Sequence, residues 1–257
     1  MTLIKTKIED AIGTIALNHY ERRNALSSEL IKSLLLALET MTNKKVKVVV
    51  LRQAENYPVW SAGHDVTELP LANTDPLPYN DPLEILLRAI RHYKIPTIAM
   101  IHGSVWGGAF DLVINCDLII ADESCTFAMT PAKLGLPYNA SGIQHFLSRL
   151  PINLVKELFF SANPINAERA LHYNLINSLI PELQLEKYTY DLAKTIASRS
   201  SEAISAFKEQ ARIINDSCVI SPELFEYIEQ IRRNVYQGHD YNEGIQAFLE
   251  KRPPKFN

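Results

Sequence analysis

Cysteine is scarce in this chain, and neither sign of charge is in marked excess. Cys116, Cys125 and Cys218 are the only cysteines in 257 residues. They are odd in number and show no CxxC spacing, which argues against a disulfide framework and a zinc knuckle. No cluster of His, Cys and carboxylates has metal-ligand spacing, so no metal and no cofactor is expected. With 26 basic against 29 acidic residues and a net charge of −3, the chain lacks the basic field of a nucleic-acid binder. Apolar runs such as 112–121 are interrupted by Asn115 and Asp117 and fall short of the roughly 18–20 residues that span a membrane. The opening MTLIKTKIED has no apolar signal-peptide core. Internal repeats and low-complexity tracts are also missing. With 21% charged and 47% hydrophobic residues, disorder and collagen-like repetition are excluded. The expectation is a soluble, cytoplasmic globular protein without nucleic-acid or membrane partners.

What is present in the first half alternates between two periods. Residues 2–7 and 12–17 read as a hairpin with Gly13 near the turn. Ser27-Ser28-Glu29 precedes an apolar stripe at Leu30, Leu34, Leu35 and Leu38, the pattern of a capped amphipathic helix. Residues 46–51 are too uniformly apolar for an exposed strand and fit a parallel strand buried on both faces. A helix at 82–93, a strand at 95–101, a helix from about Gly107 and a strand at 117–121 continue the alternation. Strand–helix–strand order with short links argues for an α/β fold on a mostly parallel sheet. From about residue 140 the chain turns helical, at 141–149, 152–160, 166–173, 185–199, 201–217, 221–236 and 240–250, with a short strand at 177–180. The proline-rich, aperiodic segment 70–82 reads as a surface loop, of the length that often serves as a lid.

Ligands of open parallel sheets bind beyond the carboxyl ends of the strands. Two segments are expected there, Ser61-Ala62-Gly63-His64-Asp65 after strand 46–51 and Gly103–Asp111 after strand 95–101. Gly107-Gly108 at a helix start offers free backbone N–H groups with the positive end of the helix dipole behind them. Such a pair packs closely, holds a phosphate or, with one more N–H from another loop, stabilises an oxyanion.

Together these segments carry a resemblance. WSAGHD at 60–65, HGSVWGGAFDL at 102–112, CDLIIA at 116–121, the upstream RRNALS at 22–27 and the closing EGIQAFLEKR at 243–252 resemble the crotonase (enoyl-CoA hydratase/isomerase) superfamily over essentially the whole chain. His64, the string SVWGGAF, MTP at 129–131, LGLPYN at 134–139 and the DPL…YNDPL pattern resemble its decarboxylating branch. The resemblance implies a crotonase-like ββα spiral core over 1–190 and a C-terminal helical trimerisation region over 191–257. It also implies a homotrimer or homohexamer that uses no cofactor and converts methylmalonyl-CoA to propionyl-CoA and carbon dioxide.

The residue roles follow from the same resemblance. The amides of His64 and Gly108 would hold the thioester oxygen as it becomes an enolate. Thr130 and Tyr138 would supply hydroxyls that orient the leaving carboxylate. CoA would lie on Arg22, Arg23 and Ala25, on Ala62, Gly63, Asp65 and Gly107, and on Phe248 and Lys251 borrowed from a neighbouring subunit. Family hydratases use two glutamates, and here those positions hold Asp111 and Pro131. Hydration needs an acid and a base at the double bond, so their loss argues against it, whereas decarboxylation needs no base. The competing expectations are another crotonase reaction (hydration, isomerisation or thioester hydrolysis) using Asp111, and a non-catalytic acyl-CoA-binding protein.

Overall fold

The computed structural model describes residues 2–70, 74–217 and 221–256. Cys218 and residues 71–73 of the expected lid therefore lie outside the described residues. The chain runs β1 (Ile4–Glu9), β2 (Ile12–Leu17), α1 (Ser28–Asn43), β3 (Val48–Gln53), β4 (Val59–Ser61), α2 (Pro82–Arg91), β5 (Thr97–Ile101), β6 (Ser104–Trp106), α3 (Gly108–Ile114), β7 (Leu118–Ala121) and β8 (Thr126–Ala128). It continues through α4 (Ala140–Leu147), α5 (Ile152–Ser161), β9 (Ile165–Asn166), α6 (Ala167–His172), β10 (Ser178–Leu179), α7 (Glu182–Ala197), α8 (Ser201–Asn215), α9 (Pro222–Tyr236) and α10 (His239–Leu249).

The strands form two sheets. The larger has the order β1-β2-β3-β5-β7-β10 and the smaller β4-β6-β8-β9. Among the described residues only the β1–β2 hairpin and the β8–β9 pair are antiparallel. The hairpin turns at Asp10 and Ala11, both left-handed, and Gly13 sits inside β2. β3 and β5 are apolar on both faces because α1 and α2 cover one side while α7 covers the other.

Local chemistry explains the helix limits. The Ser27 side chain accepts from the Leu30 amide to start α1, and Asp81 and Asn139 do the same for α2 and α4. α1 then buries Leu30, Ile31, Leu34, Leu38 and Met41, each worth about 1.5–3 kcal/mol relative to exposure. α7 packs on β2, β3, β5 and β7 along its length, so residue 190 falls inside a sheet-covering helix.

The C-terminal helices return to the front of the molecule. α10 buries Tyr241 and Ile245 against Leu69, Leu134 and Leu136. The Tyr241 hydroxyl donates to the Pro70 carbonyl at 2.8 Å, and the buried Arg232 of α9 donates to Asp75 at 2.6 Å and 3.1 Å. The proline-rich loop is thus fastened at Pro70 and at Asp75.

Candidate active site

The sequence places the site beyond β3 and β5, and the structure moves it one strand further along the chain. Between β3 and the SAGHD segment the chain crosses into the smaller sheet, where parallel β4, β6 and β8 lie side by side. Their carboxyl ends, Ser61, Trp106 and Ala128, feed Ala62–His64, Gly107–Gly108 and Met129–Pro131. Three-residue strands carry too few residues to show a period, so this sheet leaves no signal in the sequence.

Backbone geometry explains the glycines. Gly63 has a φ of +87°, and a Cβ there would lie 2.4 Å from the Trp106 carbonyl oxygen. Gly107 has a φ of +52°, and its amide donates to Ala128 at 2.9 Å, which ties the second loop to the third. A Cβ on Gly108 would lie 3.3 Å from the His64 nitrogen, so the two amides are neighbours. Neither donates to any group among the described residues, and both residues line one cavity. Two adjacent unpaired N–H groups in a sheltered cavity are the elements of an oxyanion hole.

The cavity encloses about 50 Å³ and has an apolar wall from Leu69, Leu77, Leu83 and Leu136. Its hydroxyl-bearing lining residues are Thr130 and Tyr138, and no carboxylate lines it among the described residues. Thr130 stands before the 3-10 turn at Pro131–Leu134, but its side chain does not cap that turn. Its Oγ1 lies 3.0 Å from where a Cβ on Gly107 would sit and makes no hydrogen bond among the described residues. Pro131 follows it, so one of the two hydratase glutamate positions has no titratable group.

Asp111 is fully buried on α3 and every oxygen of its carboxylate is engaged. The Tyr138 hydroxyl donates to Oδ2 at 2.7 Å, while His145 Nδ1 and Asn115 Nδ2 approach Oδ1 at 2.7 Å and 2.8 Å. Burial, followed by the Asp111 charge, pushes the Tyr138 phenol well above its ordinary pKa and keeps it protonated. Behind them Glu84 is buried on α2 and accepts from Ser141 at 3.1 Å, while its Oε1 has no partner among the described residues. Burial raises the Glu84 carboxyl above the usual range against the opposing pull of Asn139.

The His64 ring is held apart from the cavity chemistry. Nδ1 lies 3.1 Å from the Asp65 carbonyl and Nε2 lies 3.6 Å from Asp81. Burial works against its cation, but the hydrogen bond and charge of Asp81 outweigh it and raise the imidazole pKa. With both ring nitrogens facing acceptors, the group of His64 that remains free is its backbone amide.

The two segments assigned to CoA are adjacent. The Ala62 amide donates to Arg23 at 2.9 Å, Leu26 to Gly63 at 2.7 Å, and Asp65 back to Leu26 at 3.3 Å. Arg22 reaches the buried Asp65 at 3.3 Å and stays half exposed, whereas the Arg23 side chain is exposed on a residue with left-handed backbone. Ala25 is half-buried between them. Phe248 and Lys251 sit at the far end of α10, both exposed on the single chain. Sequence reasoning missed Glu84, Asn115 and His145. His145 lies on the apolar face of a helix, where a histidine reads as core, and Glu84 and Asn115 carry no motif.

The chain is 41% identical over 245 residues to the methylmalonyl-CoA decarboxylase of Escherichia coli K12, covering 95% of this chain and 94% of that protein. A solved methylmalonyl-CoA decarboxylase in complex with 2-nitronate-propionyl-CoA superposes with a TM-score of 0.98 at 39% identity, over 100% of this chain and 98% of the other. The human mitochondrial enoyl-CoA hydratase domain-containing protein 3 is 30% identical, over 95% of this chain and 80% of that protein. The mixed α/β architecture described above is thus the fold of that solved decarboxylase. Residues 7–257 match the enoyl-CoA hydratase/isomerase family, and the chain belongs to that family.

Proposed function

We propose that this protein is a decarboxylase that converts methylmalonyl-CoA to propionyl-CoA and carbon dioxide. The observation that carries the reading is the absence of a free carboxylate from the cavity lining among the described residues. Asp111 is saturated by Tyr138, His145 and Asn115, and Pro131 has nothing to titrate. A hydratase needs an acid and a base there, whereas carbon dioxide can leave without either. The 41% identity to the Escherichia coli decarboxylase supports the same substrate.

In the reaction the bond between Cα and the carboxylate carbon breaks and carbon dioxide departs. The electron pair enters the thioester π-system, and the negative charge settles on the thioester oxygen. The amides of His64 and Gly108 receive it, each worth about 3–4 kcal/mol of barrier as a pre-aligned donor. A proton from solvent, arriving after carbon dioxide has left, is taken at Cα and completes propionyl-CoA. Tyr138 and Thr130 turn the carboxylate out of the thioester plane so that the breaking bond overlaps the carbonyl. Two neutral hydroxyls do this without the ground-state grip of an arginine, which would hold the carboxylate better than the transition state. The apolar wall keeps water from the enolate.

CoA lies along Arg22, Arg23, Ala25, Ala62, Gly63, Asp65 and Gly107. Phe248 and Lys251 complete its site from a neighbouring subunit of a homotrimer or of a homohexamer made of two trimers. The exposed apolar residues Phe207, Ile214, Leu224, Phe225 and Ile231 on α8 and α9 support assembly through the region 191–257. Two free buried cysteines suit a reducing cytoplasm. Incubation with methylmalonyl-CoA under EDTA, following carbon dioxide and propionyl-CoA, tests the reading. Release of both products is expected. Hydration of an enoyl-CoA with no decarboxylation would overturn it, and light scattering of the intact protein checks the assembly.

A further inference from the structure

We infer that His145 is a positioning residue that sets how firmly Asp111 holds the hydrogen of the Tyr138 hydroxyl, and thereby how readily that hydroxyl turns to the substrate's carboxylate. The inference rests on the decarboxylase reading above. It starts from a conflict in the geometry. Tyr138 lines the cavity, yet its hydroxyl hydrogen points away, onto Asp111 Oδ2 at 2.7 Å. To orient a leaving carboxylate, the phenol must release that hydrogen from one carboxylate to another. The exchange is close to balanced only if Asp111 is a weakened acceptor.

The partners of Asp111 provide the weakening. Asn115 Nδ2 has two hydrogens, and both are used, on the Asp111 carbonyl oxygen and on Oδ1, each at 2.8 Å. The 3.0 Å approach between Asn115 Nδ2 and His145 Nδ1 is therefore not an Asn-to-His donation. Asp111 Oδ1 can only accept, so the His145 Nδ1 at 2.7 Å must carry the hydrogen and donate it. Nε2 has no hydrogen-bond partner among the described residues, and His145 lines a groove together with Arg149 and Phe207. The bond to Asp111 is thus the ring's one tie. Two donors on Oδ1 draw charge from Oδ2, and in a fully buried network each such bond alters the strength of the next. Without His145 the carboxylate is free to rotate and a tighter trap for the phenol hydrogen.

The test is a double-mutant cycle of His145 with Tyr138, read as kcat and KM for methylmalonyl-CoA. His145→Leu should lower kcat about tenfold or more while KM moves less than about threefold, because CoA is held elsewhere. His145→Asn, which keeps an N–H near the Nδ1 position, should recover kcat to within about fivefold of wild type. In a Tyr138→Phe background His145→Leu should cost almost nothing further, since no phenol hydrogen is left to release. Propionyl-CoA affinity, measured by calorimetry, should be equal in all four proteins. If His145→Leu does not fold, His145→Gln, whose amide falls at the Nε2 position, takes its place with the same expectations. Equal losses with and without the Tyr138 hydroxyl, or no recovery in His145→Asn, would overturn the inference. A wild-type protein that releases no carbon dioxide would instead sink the decarboxylase reading.

Discussion

Replacing Asp111 with asparagine separates the two readings of this site, because the structure predicts that the change is nearly harmless to the network. In Asp111→Asn the side-chain oxygen can still accept from His145 Nδ1 and Asn115 Nδ2, now at 2.7 Å and 2.8 Å. The new amide faces the Tyr138 oxygen, where the present contact is 2.7 Å, and donates to it. Every buried group keeps a partner; the three charge-assisted bonds to the carboxylate become neutral, each losing about 1 kcal/mol, and the relieved cost of burying an ionised carboxylate offsets that loss. The phenol hydrogen is then free to face the cavity. Activity should stay within about tenfold of wild type by this account. Tyr138→Phe is the opposite case. It removes the only donor on Oδ2 among the described residues and strands a fully buried carboxylate oxygen, costing about 1.5–3 kcal/mol of stability. At about 2–4 °C per kcal/mol for a chain this size, its Tm should fall by roughly 3–12 °C. Its kcat/KM should fall about 10- to 1000-fold, from the lost hydrogen bond and the misoriented carboxylate. Propionyl-CoA, which lacks the carboxylate, should bind both variants as it binds wild type. Carbon dioxide release, thermal melting and product calorimetry read the three quantities, beside a parallel enoyl-CoA hydration assay. An inactive Asp111→Asn beside a near-normal Tyr138→Phe would refute the reasoning and make Asp111 an acid–base group.

Gly108→Val would place a Cβ 2.7 Å from Leu83 Cδ2 and 3.3 Å from the His64 nitrogen, against both apolar wall and oxyanion hole. Turnover should fall about 100-fold or more in a protein whose circular dichroism is unchanged, and near-wild-type turnover would misplace the hole. Arg232→Leu cuts the buried guanidinium from Asp75 and from the Leu77 carbonyl, so the cavity-lining loop loses its clamp. A stability loss of about 2–4 kcal/mol and a raised KM are expected by thermal melting and kinetics, and an unchanged KM would mean the loop does not shape the site. For Glu84, burial raises the folded-state pKa above the unfolded value, so its stability contribution is full at acid pH and is lost as pH rises through the raised pKa. Glu84→Gln removes that titration, and the Tm of the variant minus that of wild type should be more positive at pH 8 than at pH 4.5. A difference independent of pH would show that Glu84 titrates normally.

How much of this was legible in the sequence depends on the scale of the physical signal. The larger sheet was readable because β3 and β5 are apolar on both faces, and the helices because stripes such as Leu30, Leu34 and Leu38 repeat at a helical period. The turn at Asp10–Ala11 and the smaller sheet were not, since neither a two-residue turn without glycine nor a three-residue strand carries a pattern. Misjudging that sheet displaced the expected site by one strand while leaving the same loops at one cavity, because the glycines and hydroxyls sit in loops whose order along the chain is the same in either case.

The direction of the Tyr138 hydrogen was beyond any sequence reading. It is decided by a carboxylate 27 positions earlier and a histidine on the next helix, brought together only when α3 and α4 pack. A tyrosine read alone is a donor to whatever enters the cavity. The same tyrosine beside a buried aspartate is a donor already spent, and its use in the reaction becomes a competition between two carboxylates. In the proposed mechanism, loop amides hold the enolate through backbone geometry, which glycines announce in sequence. Orientation of the leaving group depends there on a three-residue relay whose outer member looks like core. That difference is why the candidate oxyanion loops could be picked out from motifs, whereas the contacts of Tyr138 required the packed helices.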